Sequence, residues 1–184
     1  MKKNSNFSTL FFVLGCNSFS GAHFVRYLLQ KGHSVIGVNR SSDQHPLLLP
    51  YLKESPDLFE FHQLDINQDL DAIMALIESE KPSYVVNFAA QGMVAQSWTH
   101  PEHWYMTNTV STIKLHDKLR HCDFLDKYVH ISTPEVYGNL TGLVKENYNY
   151  LPSSPYAISK AAADMSLMSF YKSYQFPVVF TRAA

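Results

Sequence analysis

Short apolar runs separated by polar, helix-spaced segments repeat along the chain. The runs are Thr9 to Leu14, Ser34 to Val38, Leu58 to Leu64, Tyr84 to Asn87, Tyr128 to Ser132 and Pro177 to Thr181. Each is brief, bounded by turn residues and rich in Val, Ile or Phe, the pattern of a strand buried on both faces. Between them apolar residues recur at helical spacing, as in Ala22, Val25, Leu28 and Leu29, then Leu70, Ile73, Leu76 and Ile77. Strand and helix alternating in this way predict an α/β fold, with crossover units building a doubly wound parallel sheet. Two stretches break the rhythm. Ser41 to Pro56, with Pro46, Pro50 and Pro56, reads as an irregular excursion with one short helix at most, and Gly138 to Pro152 as a long loop. Ligands of doubly wound sheets bind at the carboxyl ends of strands, so chemistry is expected in loops that follow strands.

Composition narrows the picture. With 184 residues, 46% of them hydrophobic, the chain can bury the core of one domain. Fifteen basic against 16 acidic residues leave a formal charge of -1, no field for a polyanion, so no nucleic-acid partner is expected. Cys16 and Cys122 are too few for a disulfide framework and lack metal-ligand spacing, which predicts no metal and suits a reducing cytoplasm. No apolar run approaches the roughly 20 residues that span a bilayer, so no membrane partner is expected. Met1-Lys2-Lys3, the apolar stretch from Phe7 to Leu14 and Gly15-Cys16 have the outline of a bacterial lipoprotein signal. The same residues make a good first strand, interrupted by Ser8 and Thr9 in a way that suits a signal less well. The sequence stops at Arg182-Ala183-Ala184, just after the last strand candidate, which reads as a fragment of a longer protein.

Gly15-Cys-Asn-Ser-Phe-Ser-Gly21 falls where the first strand would turn into the first helix. Small residues there let the backbone turn tightly and bring amide N–H groups and a helix N-terminus to a pyrophosphate. Gly15, Ser18, Phe19, Ser20 and Gly21 are therefore candidate cofactor residues, with Ser18 at the position of a middle glycine, either crowding a phosphate or donating to it. An ordinary strand-to-helix turn would use the same residue types. No acid ends the second strand to hold the ribose hydroxyls of NAD. Asn39, Arg40 and Ser41 stand there instead, and the planar fork of Arg40 pairs well with phosphate, which favours NADP over NAD. A solvated loop arginine would look the same. Asp65, followed by Ile66, comes after the third strand, where it would accept a hydrogen bond from adenine. Phe88, Ala89, Ala90 and Gln91 follow the fourth, with small residues that permit close approach of a cofactor.

The fifth strand ends in Ser132-Thr-Pro-Glu-Val-Tyr-Gly138, and Ser153-Ser-Pro-Tyr-Ala-Ile-Ser-Lys160 comes later. Ser154 suits a helix cap and Pro155 a first helical position, placing Tyr156 and Lys160 on one face of one helix. A phenol with pKa near 10 is a poor base at neutral pH, but an adjacent ammonium and an oxidised nicotinamide favour its phenolate. Tyr156 would then take a proton from an alcohol as hydride leaves for the cofactor. Together these motifs resemble the extended short-chain dehydrogenase/reductase superfamily, and within it the nucleotide-sugar 4,6-dehydratases. The likeness runs from Leu10 to Arg182 and is most specific from Asn87 to Ser97, Ser132 to Gly138 and Ser154 to Asp164. The Asn39 to Ser42 stretch most resembles the GDP-mannose 4,6-dehydratase branch, which uses NADP.

The resemblance implies a Rossmann-type domain over residues 1–184, with the substrate-binding domain placed mainly beyond Ala184. It implies Tyr156 as redox base, Lys160 as its electrostatic partner and ribose ligand, and Thr133 as hydrogen-bond partner of the hydroxyl being oxidised. Glu135 matches the base that removes the C5 hydrogen before water leaves from C6. Thr107 would lie near the cofactor while Asn108 props the sheet. A nucleotide sugar is the implied substrate and a homodimer the implied assembly, through the helix after Pro101 and the helix carrying Tyr156. Trp104, Leu115, Leu167 and Phe170 allow that interface, and core packing explains them equally well. Departures are Pro134, where glucose-type dehydratases carry a proton-donating aspartate, Gly92 and Met93 in place of a polar pair, and Ser18. A 4-epimerase or decarboxylase of the same family, or a dinucleotide-binding module without catalysis, are the alternatives.

Overall fold

The computed structural model describes residues 8–42, 45–139 and 142–182. Met1 to Lys3 and Phe7 of the signal-like stretch, and Ala183 and Ala184, lie outside the described residues. The strands are β1 (Leu10–Leu14), β2 (Ser34–Asn39), β3 (Phe59–Gln63), β4 (Tyr84–Asn87), β5 (Lys127–Ile131) and β6 (Val178–Thr181). They form one six-stranded sheet in the order β3-β2-β1-β4-β5-β6. Pairing is parallel where β1 meets β2 and β4 and where β2 meets β3, with Phe12 opposite Ile36 and Val85. Phe12, Val13 and Leu14 are almost wholly buried, as the unbroken apolar run of a central strand requires. This order, reversing direction between β1 and β4, is that of the dinucleotide-binding doubly wound fold. Among the described residues no helix is long and apolar enough to cross a membrane.

By contacts the chain divides into two compact units, residues 1–89 with 124–128, and residues 90–123 with 129–184. In the first, α1 (Phe19–Gln30) buries Ala22, Val25, Leu28 and Leu29, the predicted stripe. Helix α2 (Leu70–Glu80) buries Ile73, Met74 and Ile77. The excursion after β2 is more ordered than its composition suggests. Three 3-10 turns, Pro46–Leu48, Pro50–Lys53 and Pro56–Leu58, each start on a proline. Proline suits that first position because its φ is already helical and its missing N–H would have no partner there. Leu49 and Tyr51 are buried with Val13, Cys16 and Val35, so the excursion packs as part of the core.

In the second unit a helical run begins as α3 (Pro101–Trp104), continues as a π-helical stretch (Tyr105–Ser111) and ends as α4 (Thr112–Leu119). The long helix α5 (Pro155–Tyr174) has Ser154 as cap, its side chain accepting from Ala157 N, and Pro155 at the first position, both as predicted. Residues 142–152 carry no helix or strand. Trp104, Leu115 and Leu167 are buried, so packing within the chain accounts for them.

Candidate active site

In the first unit the glycine turn is sterically fixed. Gly15 sits at φ +74°, and a Cβ there would come within 2.6 Å of Ala89 N. A Cβ on Gly21 would lie 2.2 Å from Gly15 O. Neither position has room for a side chain, so glycine is required there for the tight turn and the close packing of the strand ends and helix, as in a dinucleotide-binding turn. Ser18 neither crowds this space nor stays free for a phosphate. Its Oγ donates to Gly15 O at 2.7 Å and accepts from Gly21 N at 3.1 Å, capping α1. Phe19 and Ser20 are exposed. Cys16 behind them is buried, its thiol pushed up to about 12 by desolvation.

The ends of β2 and β4 are tied to this turn. Gly15 N and Cys16 N both donate to Val38 O. Asn39 Nδ2 and Asn17 Nδ2 both donate to Ser41 O, at 2.9 and 3.0 Å, and Arg40 is exposed. After β4, Ala89 N donates to Asn87 Oδ1 while Asn87 Nδ2 donates to Tyr128 Oη at 3.0 Å. Phe88 packs against Phe24 of α1. Asp65 is half-buried, one carboxylate oxygen accepting from Asn67 N at 2.8 Å, and Ile66 is buried. The structure therefore gathers Gly15, Ser18, Gly21, Asn39 to Ser41, Phe88 and Ala89. Sequence reasoning passed over Asn17 and Tyr51, which join them through a hydrogen bond of 2.6 Å. A tyrosine in a proline-rich stretch without periodicity gave no signal.

In the second unit, Thr133 ends the loop after β5 and caps the short 3-10 helix Pro134–Tyr137, its Oγ1 accepting from Glu135 N at 3.3 Å. Pro134 holds the first position of that turn, which gives the residue a structural purpose. Tyr156, the second residue of α5, is half-buried, and its backbone N–H donates to Ser97 Oγ at 3.2 Å. Burial pushes its phenol above the ordinary value, Thr133 pulls it down and the nearby Glu135 carboxylate pushes it up. Glu135 itself is exposed, and it borders a cleft of about 560 Å³ together with Tyr137, Gly138, Glu146 and Arg182.

Lys160 is 3% exposed, and its Nζ donates to Ile131 O at 2.6 Å. Burial lowers the ammonium to about 8, with the Asp164 carboxylate opposing the shift. Asp164, one turn farther along α5, accepts from Ser132 Oγ at 2.7 Å, from Arg182 Nη2 at 2.8 Å and from Tyr150 Oη at 3.2 Å. His130 Nε2 lies 3.4 Å from its other oxygen. Ser132 and Asp164 thus brace the residues on either side of Thr133 and Lys160. Nothing in the motif spacing pointed to Arg182 or Tyr150 as their partners.

The loop after β4 is held by Asn108 of the π-helical stretch. Asn108 Oδ1 accepts from Gln91 N at 2.8 Å, and its Nδ2 donates to Gln91 O at 2.9 Å and Ser159 Oγ at 3.0 Å. Trp104 Nε1 donates to Gly92 O. Ala90 and Met93 are exposed, and Met93 has φ +63°. Thr107 is buried, its carbonyl accepting from Thr112 Oγ1.

This strand order, this glycine turn and a helix bearing Tyr156 and Lys160 beside Thr133 define a nucleotide-sugar epimerase/dehydratase type of short-chain dehydrogenase/reductase domain. A model of the GDP-mannose 4,6 dehydratase family matches residues 12–184, and the chain belongs to that family. It is 32% identical to the dTDP-glucose 4,6-dehydratase of Xanthomonas campestris pv. campestris, over 94% of this chain and 52% of that protein. With the human GDP-mannose 4,6 dehydratase it shares 28% identity, over 88% of this chain and 46% of that one. The solved dTDP-glucose 4,6-dehydratase of Streptomyces venezuelae, with NAD and TYD bound, superposes with a TM-score of 0.81 at 28% identity, covering 95% of this chain and 55% of that one. The UDP-glucuronic acid 4-epimerase of Bacillus cereus superposes with a TM-score of 0.80 at 27% identity, over 95% and 56% of the two chains. The chain spans about half the length of the curated relatives it matches.

Proposed function

We propose that the chain is the cofactor-binding and catalytic half of a nucleotide-sugar 4,6-dehydratase, in which residues 1–184 form the Rossmann-type domain. The observation that carries this is that α5 bears half-buried Tyr156 and buried Lys160, with the side chains of Thr133 and Glu135 near enough to Tyr156 to shift its phenol. A nicotinamide dinucleotide, when bound, supplies the hydride acceptor and returns the hydride at the end. The residues fit such a group, because the turn has no room for a Cβ at Gly15 or Gly21. Phe19 and Ser20, in a turn shaped by Gly15, Ser18 and Gly21, would hold the pyrophosphate, Asn39, Arg40 and Ser41 the adenosine ribose, and Asp65 and Ile66 the adenine. Phe88, Ala89, Ala90, Gln91 and Thr107 would line its path. NADP is favoured, since Arg40 can pair with a 2′-phosphate and no acid stands at the end of β2.

Thr133 orients the C4 hydroxyl and Tyr156 Oη takes its proton as the C4 hydrogen leaves as hydride. Lys160 stabilises the phenolate and holds ribose hydroxyls. Once C4 is a ketone, the C5 hydrogen is acidic, Glu135 takes it as a proton, and the same proton passes from Glu135 to the hydroxyl leaving C6, which departs as water. Proline cannot supply that proton. The open cleft beside Pro134 and the similarity to a 4-epimerase favour a second reading, in which the ketone returns to an inverted alcohol and Glu135 is idle. Incubation of the full-length protein with NADP and GDP-mannose, dTDP-glucose or UDP-glucose separates the two by mass and sugar analysis. Loss of one water with a 4-keto-6-deoxy product supports dehydration. A C4-inverted sugar of unchanged mass overturns it in favour of epimerisation, and no turnover of any sugar favours a module without catalysis.

Two further expectations attach to this reading. The cytoplasm suits a chain with two free thiols. A homodimer would use exposed Met106 and Val110 of the helical run after Pro101 and exposed Ile158 and Met165 of α5, in place of the buried residues that the sequence suggested.

A further inference from the structure

Tyr51 lies in the 3-10 turn Pro50–Lys53, outside every motif of the family resemblance. Its ring is 4% exposed and packs on Phe59 with centroids 4.6 Å apart. The hydroxyl donates to Asn17 Oδ1 at 2.6 Å. Asn17, buried in the glycine turn, passes this on through its Nδ2 to Ser41 O at 3.0 Å, where Asn39 Nδ2 also donates. One residue earlier, Gln63 Nε2 donates to Arg40 O at 3.3 Å. Two successive carbonyl oxygens are thus drawn onto side-chain amides. A carbonyl oxygen carries partial negative charge and repels a phosphate, and an amide donor offsets that charge. The far end of the excursion is fixed too, since Arg26 Nε and Gln30 Nε2 of α1 both donate to Glu54 Oε1 at 2.9 Å. Burial raises the Tyr51 phenol above its ordinary value, so it stays a donor at any working pH.

We propose that Tyr51, acting through Asn17, is a positioning residue that holds the Arg40–Ser41 backbone in the shape that accepts a 2′-phosphate, and so sets the preference for NADP over NAD. The inference rests on the NADP reading above and adds a residue that touches no cofactor atom. Without the hydroxyl, Asn17 Oδ1 keeps the weak Cys16 thiol donor at 3.3 Å, its amide is free to turn, and Ser41 O loses the Asn17 donor.

The experiment is titration calorimetry of the full-length protein with NADP, NAD and 2′,5′-ADP, for the wild type, Tyr51→Phe and Arg40→Ala. Phenylalanine keeps the ring in the core, and thermal melting reports the fold separately. Tyr51→Phe is expected to weaken NADP and 2′,5′-ADP about tenfold while NAD changes by less than about twofold. Equal weakening of NADP and NAD, or an unchanged ratio, overturns the proposal and leaves Tyr51 a packing residue. A wild type that binds NAD as tightly as NADP, or an Arg40→Ala variant with an unaltered ratio, overturns the NADP reading instead.

Discussion

Lys160 shows how a candidate site residue can be costly to the fold. Its ammonium is buried against one carbonyl and lowered to about 8 from its ordinary 10.5. Between these two values the unfolded chain holds a proton that the folded chain has released, so stability rises with pH across that window and is reduced below about 8. Lys160→Met is therefore expected to stabilise the chain by ~2 kcal/mol at pH 7, after allowing for the lost hydrogen bond, and to remove the rise with pH. Denaturant midpoints at pH 7 and pH 9.5 read both effects, and a less stable variant at pH 7 contradicts them. Met93 carries a backbone cost, being a non-glycine residue at φ +63°. Met93→Gly should raise stability by about 1 kcal/mol in the same assay, because glycine takes that conformation without steric conflict.

At the level of elements, α5 is the most heavily determined. Ser154 caps it, Pro155 starts it, and Tyr156, Lys160 and Asp164 follow within its first turns. Ser154→Ala should cost about 1 kcal/mol by removing the acceptor for Ala157 N, measured by chemical denaturation. This element was legible in sequence because local rules fix it: cap, proline and spacing all act within a few residues. Pro134 was only half legible. Its chemistry as a non-donor was plain, but its place at the start of a 3-10 turn capped by Thr133 depends on how β5 ends. The excursion after β2 holds three turns where its composition suggests one helix at most, because they draw their stability from Leu49 and Tyr51 entering the core. Long-range packing of that kind leaves no period in the sequence. The same holds for Asp164, whose partners Ser132, Tyr150 and Arg182 come from three separate segments.

For the molecule as a whole, two buried histidines make stability depend on acid. His116 and His130 are each lowered to about 4, chiefly by burial, with His130 pressed further by neighbouring Lys160 and Arg182. The unfolded chain takes up protons near pH 6.5 that the folded chain refuses until about 4, so stability falls as pH drops through that interval. Melting temperature should decline steadily from pH 7 to pH 4.5, and His116→Phe should flatten part of the decline. A flat profile in the wild type contradicts the assignment. The doubly wound parallel sheet was legible from the alternation of runs and the glycine turn from its own small residues, whereas the strand order, which depends on long-range pairing, was not. The helical run from Pro101 to Leu119 was not fully legible, because nothing in its residues announces the π-helical stretch in its middle. That stretch works as a phase adjuster. Successive residues of an ordinary helix turn by about 100°, so shortening the run by one residue would let it relax to regular winding while swinging Asn108 away from Gln91 and Ser159. The helix has been left slightly overlong so that one amide arrives at the right bearing.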